Sequence, residues 1–249
     1  MALAVKGNPI RPEKANIAFL LVHGFCASVD ELATLGEYLS NEGYASFAVQ
    51  LAGHGTTPED LKKTTWQDWY QSVKIGLKVV RSWNTEHVFV VGFSMGGLLS
   101  ILLASEQKDI DGLVLIAPAL KTPGFLPKLV PLLKYFVGYR EIDVEAAQLV
   151  YDVKRTKYSK EPVASYHEFF KLQKIAKQRM SEVRQPTVVL QGNEDKTIDP
   201  TSAHLAYHGI SSGKKEIHVI EGAEHVISCH PTRAVAFPLI SGFIKGVTQ

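Results

Sequence analysis

Residues 88–105 read VFVVGFSMGGLLSILLAS, 18 consecutive positions without a charged side chain. That length approaches the threshold for a membrane-crossing helix. But Gly92, Ser94, Gly96 and Gly97 stand in its middle, and glycines of this density mark a turn rather than a continuous helix. The stretch reads better as a buried strand, a sharp turn and a buried helix. Such a unit belongs to a parallel sheet covered on both faces.

Outward from this unit, apolar β-rich runs alternate with helical patterns. Ile17–His23 (IAFLLVH) is a continuous apolar run, as in a strand buried on both sides. Asp30–Asn41 sets Leu32, Leu35 and Leu39 at helical spacing, with Ser28 or Asp30 as N-cap and Gly43 as the stop. Further strands are predicted at Tyr44–Gln50, His87–Gly92, Gly112–Ala117, Pro186–Gln191 and Glu216–Ile220. Helices are predicted at Thr65–Trp83, Met95–Glu106 and Pro231–Ile244. About one weak strand precedes Ile17. This alternation implies an α/β fold: a mostly parallel central sheet, right-handed crossovers and helices on both faces. Between Ala119 and Arg184 the alternation lapses into helical patterns, prolines and charges, with no buried strand. The reading is a core of residues 1–118 and 185–249, with a helical cap inserted at 119–184 on the sheet's carboxyl edge.

The 249 residues suit one sizeable domain. With 45% hydrophobic and 21% charged residues, a disordered, collagen-like or coiled-coil chain is excluded. A net charge of +2 gives no case for a nucleic-acid partner. The charge is uneven, however: Leu120–Arg184 holds 13 Lys/Arg against 7 Asp/Glu. Those cations either solvate cap helices or attract anionic substrates or surfaces. The first residues lack a long apolar run, so no secretory signal and no integral membrane segment are expected, and the location reads as cytoplasmic.

Gly92-Phe93-Ser94-Met95-Gly96 matches G-x-S-x-G, and the predicted strand before it and helix after it supply the context the pattern needs. Small flanking residues allow a strained turn that presents the Ser hydroxyl, and the helix N-terminus favours developing negative charge. A bland reading makes Ser94 a space-filler in a glycine-rich turn. A Ser hydroxyl is a poor nucleophile until a base takes its proton. In a fold of this type an acid and then a His follow on loops after later strands. After Pro186–Gln191 come Glu194, Asp195 and Asp199, and spacing alone prefers Asp195 only modestly. Asp199 precedes Pro200 and could cap a helix. Of nine His, His218 falls in a strand pattern, His204 and His208 on a helix, and His230 opens the last helix. His225 alone lies in the short loop after the last strand.

An oxyanion hole would use the backbone N–H of Met95 and one from the loop His23-Gly24-Phe25-Cys26, where Gly24 turns the chain and Phe25 N–H faces the substrate. His23 and His54 read as loop-orienting residues that hydrogen-bond without transferring protons.

The set LLVHGF (20–25), GHGTTPEDL (53–61), Asp68-Trp69, GFSMGG (92–97), QGNEDKTIDP (191–200) and GAEHVI (222–227) resembles the α/β-hydrolase fold of the bacterial carboxylesterase and monoacylglycerol-lipase type. The motifs occur in order over nearly the whole chain, the cap being least distinctive. The resemblance implies a Ser94–His225–Asp195 triad, oxyanion donors at Phe25 and Met95, and no cofactor or metal. It also implies a small-molecule ester substrate: short- to medium-chain acyl esters or monoacylglycerols, with feruloyl-type esters as an alternative. Glu224 departs from the small residue common before the base; it would set a carboxylate at the mouth or point to solvent.

The dense apolar stretch holding Phe125, Leu126, Leu129 and Phe136 is expected either to pack inside the cap or to line the pocket, together with Gly24 and Val226. Cys26 and Cys229 lie on loops that should converge; two reduced thiols are expected, with a disulfide as the alternative. The same triad would serve a thioesterase, lactonase or acyltransferase, and a slow small-molecule receptor is conceivable on this fold. A homodimer is compatible with the sequence.

Overall fold

A computed structural model of the chain describes residues 6–124, 130 and 133–249. The described elements run in order: β1 (Gly7–Ile10), β2 (Ile17–Val22), α1 (Ala33–Asn41), β3 (Ala45–Val49), α2 (Pro58–Lys62), α3 (Trp66–Arg81), β4 (His87–Phe93), α4 (Met95–Glu106) and β5 (Gly112–Ile116). Then follow β6 (Tyr139–Glu141), α5 (Val144–Gln148), β7 (Lys160–Pro162), α6 (Val163–Arg179), β8 (Thr187–Gly192), α7 (Thr201–Gly209), β9 (Lys215–Ile220) and α8 (Arg233–Thr248). Seven of these strands form one sheet in the order β1-β3-β2-β4-β5-β8-β9. Only β1 runs antiparallel, against β3. The weak strand before Ile17 is therefore real, a short edge strand.

Alternation along the central strands builds two cores. Ala18, Leu20 and Val22 pack on one face with α3, α4, α6 and α7. Phe19 and Leu21 pack on the other with α1 and α8. Helix α4 has no polar face: Met95 through Ser105 are all buried. It is clamped between the sheet, α3 and α6, and this explains the uncharged run around Ser94. No helix among the described residues is long and apolar enough to cross a membrane.

Three expectations change. The first helix opens as a 3₁₀ turn, Val29–Leu32, and becomes α-helical at Ala33. Neither Ser28 nor Asp30 caps it, because the Asp30 carboxylate is taken by Thr156 instead. The last helix begins at Arg233 and runs to Thr248, with His230 outside it. The excursion between β5 and β8 does contain strands: β6 and β7 pair antiparallel, and Glu161 and Pro162 of β7 are buried. At three residues each, these strands are too short to show an alternating pattern.

Candidate active site

Ser94 stands between β4 and α4 at φ 53° and ψ −115°. A non-glycine residue there stores on the order of 1–3 kcal/mol, which the surroundings must enforce. They do so by close approach. A Cβ on Gly96 would lie 2.0 Å from the Val22 carbonyl, and one on Gly92 2.5 Å from the Gly96 carbonyl. Ser94 itself is tied down by its N–H to the Ile116 carbonyl (2.9 Å), while its own carbonyl accepts from Gly97 (3.0 Å) and Ala119 (3.1 Å).

Three side chains from three loops meet at this turn. Ser94 Oγ lies 3.0 Å from His225 Nε2, and His225 Nδ1 lies 2.7 Å from Asp195 Oδ2. All three residues are buried. Asp195 Oδ2 also accepts from the Gln191 amide (2.8 Å), and Oδ1 from the N–H groups of Thr197 and Ile198 (2.9 Å each). Burial alone would raise this carboxyl, but the charge and hydrogen bond of His225 and the two N–H donors outweigh it. They hold it below the ordinary carboxylate value. Of the other two acids, Glu194 is exposed, and Asp199 binds Lys121 and the backbone and hydroxyl of Thr201. His218 pairs with Glu216, His230 with Thr232, and His204 and His208 stay exposed on α7. Gln191 was not singled out in the sequence; its place at the end of β8, beside the acid loop, was the available signal.

The loop after β2 supplies a second feature. His23 Nε2 accepts the Leu51 N–H (3.2 Å), so the proton sits on Nδ1, which donates to the Gly24 carbonyl (2.9 Å). In a trans peptide the C=O and N–H point in opposite directions. Holding the Gly24 carbonyl therefore turns the Phe25 N–H the other way. Neither the Phe25 N–H nor the Met95 N–H finds an acceptor among the described residues. Burial lowers His23 to about 4 and, with His23 beside it, His54 to about 3, so both rings stay neutral. His54 packs edge-on against His23 and Trp69.

Ser94 and His225 open into a cavity of about 770 Å³. Gly24, Phe25 and Val226 line it; Met95 is buried and outside the lining. Glu224 reaches the lining and pairs with Lys196 at 3.6 Å. Phe125, Leu126 and Leu129 lie outside the described residues. Phe136 is not a wall: it is 79% exposed and outside the lining. The excursion lines the cavity instead through α5, the segments on either side of it and α6, with Ile142, Tyr151, Arg155, Tyr166, Phe169 and Phe170. The spacing of Tyr166, Phe169 and Phe170 on one helix was the signal for that wall. Cys26 and Cys229 are both free and buried, and burial pushes the Cys229 thiol up to about 12. Among the described residues no cluster of His, Cys, Asp and Glu could hold a metal.

A family model described as serine aminopeptidase, S33, matches residues 13–231. A thermostable monoacylglycerol lipase of Bacillus sp. (strain H-257) is 32% identical over 222 residues, 88% of this chain and 86% of that one. A carboxylesterase of Bacillus subtilis (strain 168) is 25% identical, with 92% of each chain covered. Among solved structures, a metagenome-derived lipolytic enzyme superposes with a TM-score of 0.86 at 24% identity, over 96% of this chain and 97% of that one. The fold is that of the α/β-hydrolases, and the chain belongs to the family that the residue 13–231 match defines.

Proposed function

We propose that the chain is a serine hydrolase of carboxylic esters, acting through Ser94, His225 and Asp195. The observation that carries this reading is the continuous relay of 3.0 Å and 2.7 Å from Ser94 to Asp195 at the floor of the cavity. Its similarity to a monoacylglycerol lipase and a carboxylesterase supports the ester class.

Ser94 Oγ attacks the ester carbonyl carbon while His225 Nε2 takes its proton. Asp195 keeps the imidazole in the tautomer with Nδ1 protonated and stabilises the imidazolium that forms. The N–H groups of Phe25 and Met95 stabilise the oxyanion, the second aided by the N-terminus of α4. His225 gives its proton to the leaving alcohol. Water, activated by the same His225, then releases the acid from the acyl-enzyme. Every residue used comes from one chain. The segment 119–184 acts as a cap whose α6 aromatics form a substrate wall. A cavity of about 770 Å³ with mixed apolar and charged walls suits a short- to medium-chain acyl group joined to a polar alcohol, as in a monoacylglycerol.

The test is steady-state hydrolysis of p-nitrophenyl esters from acetate to palmitate, and of monoacylglycerols, with Ser94→Ala as control. Turnover peaking at short or medium chains and lost in the variant supports the proposal. The family description makes aminoacyl p-nitroanilides the necessary counter-substrate. Faster turnover on these than on any ester would replace the ester reading with a peptidase.

A further inference from the structure

We propose that Glu31 is a positioning residue for the Phe25 N–H, held to that task by Arg155 of the excursion. The inference rests on the reading of Phe25 as an oxyanion donor.

Glu31 lies in the 3₁₀ turn before α1, and its side chain is 4% exposed. Its Oε2 accepts the Gly24 N–H at 3.0 Å. The Gly24 carbonyl is already held by His23 Nδ1–H. Both polar groups of Gly24 are thus clamped by side chains from different elements, which fixes the two peptide planes flanking it. The second of those planes contains the Phe25 N–H. The fit is close: a Cβ on Gly24 would lie 3.0 Å from Glu31 Oε2 and 3.1 Å from the Phe93 ring. The clamp is also anchored to the base loop, because the Glu31 carbonyl accepts the Ser228 hydroxyl at 2.5 Å, three residues past His225.

The other carboxylate oxygen faces the excursion. Arg155 reaches Glu31 Oε1 at 3.5 Å, with its guanidinium over the Tyr151 ring and its side chain 8% exposed. Next to it, Asp30 Oδ2 accepts both the N–H and the hydroxyl of Thr156 at 2.7 Å. Burial raises the Glu31 carboxyl, and Arg155 is the strongest group opposing that rise. A buried ion pair is weak evidence for stability, since desolvation cancels much of its attraction. This pair instead sets a geometry. It keeps a carboxylate against the Gly24 N–H, where a charged acceptor forms a shorter, stronger bond than a neutral one. The seating of residues 155–156 is thereby linked to the loop that aims the Phe25 N–H.

The test compares wild type with Glu31→Ala, Glu31→Gln, Arg155→Met and Arg155→Lys. It measures kcat and KM on one p-nitrophenyl ester, and affinity for an alkyl trifluoromethyl ketone, which forms a tetrahedral oxyanion with Ser94. Thermal midpoints give the folded fraction. Removing an oxyanion donor outright costs about 10²–10³ in kcat, so a loosened one should cost less. Glu31→Ala should lose about 30-fold in kcat with KM within about twofold, and the ketone should weaken in step. Glu31→Gln, whose amide oxygen still accepts the Gly24 N–H, should lose only about threefold. Arg155→Met should lose about fivefold, and Arg155→Lys should regain most of it. If Glu31→Ala does not fold, the contrast between Arg155→Met and Arg155→Lys decides. The proposal is overturned if the losses fall on KM, if they vanish per folded molecule, or if the two Arg155 variants behave alike. Wild type that neither turns over esters nor binds the ketone would sink the esterase reading itself. Wild type that does both, matched by Glu31→Ala, would remove only the role of Glu31.

Discussion

The sheet's carboxyl edge and the excursion between β5 and β8 form opposite walls of one cavity, and they are built differently. On the sheet side, Ser94, Asp195 and His225 are buried and each is held by several bonds. The turn at Ser94 leaves no room even for a methyl group at Gly96. On the excursion side the strands are three residues long, charged pairs such as Lys157–Glu161 stand in the wall, and Leu149 is 84% exposed. One wall is over-determined around the relay; in the other, α6 packs into the core, while the short strands and the segment beside them are held by a few polar contacts. Substitutions on the first should therefore act nearly all-or-none on the chemistry, and substitutions on the second should act by degrees.

The largest effects test the first half of that contrast. Ser94→Ala should lower kcat by about 10⁶ with the thermal midpoint unchanged. Asp195→Asn should lower it by about 10⁴, because the amide favours the wrong imidazole tautomer while leaving the geometry intact. Single-turnover assays on purified protein measure both. An Asp195→Asn enzyme within tenfold of wild type would mean that Asp195 does not orient the base.

Beneath the same wall, acid should act through His23 and His54. Folding lowers both from 6.5, to about 4 and about 3. The unfolded chain thus binds the protons more tightly, and stability rises with pH across this window. The contribution of the pair is whole above about pH 6.5 and is lost as pH falls toward the folded values. Between pH 6.5 and 5 each ring should cost about 2 kcal/mol. Urea unfolding at pH 7.5 and 5.0 gives the slope, and His54→Phe should remove about half of it. An unchanged slope would show that His54 is protonated in the folded state.

The two walls were also unequally legible in sequence. The strand–turn–helix around Ser94 could be read because its physical demands are local: no charge in a fully buried helix, and glycines where backbone meets backbone. The acid was less legible. Glu194, Asp195 and Asp199 all follow β8 within a few residues, and only the direction of the chain at Thr197 and Ile198 turns Asp195 toward His225. The opposite wall was hardly legible. Strands β6 and β7 are too short to carry a period. The apolar stretch around Phe136 drew attention by composition, yet Phe136 faces solvent while Tyr166, Phe169 and Phe170 of α6 face the cavity. Nothing in the sequence marked Glu31, because its contact with Gly24 depends on how the loop after β2 turns and its other partner, Arg155, meets it only in the fold.

The excursion wall should answer by degrees. Phe170→Ala enlarges it and should shift the preferred acyl chain by two or more carbons, changing the ratio of kcat/KM for octanoate and butyrate esters by about tenfold. A uniform loss on all chains would place Phe170 outside the acyl path.

The smallest effect should come where the excursion rests on the sheet edge. The Tyr158 hydroxyl donates to the Gly53 carbonyl (3.1 Å) and accepts the Thr56 N–H (3.2 Å), joining the segment before β7 to the Gly53-His54-Gly55 loop. Tyr158→Phe keeps the ring and removes both bonds, at a cost of about 1–2 kcal/mol in urea unfolding. Neither partner belongs to the Ser94 relay or to the two N–H donors, so kcat should change by less than about twofold. A loss approaching that of Asp195→Asn would mean that the excursion and the relay are one cooperative unit, and the distinction between the two walls would fail. A loss confined to stability would place their boundary at this hydroxyl.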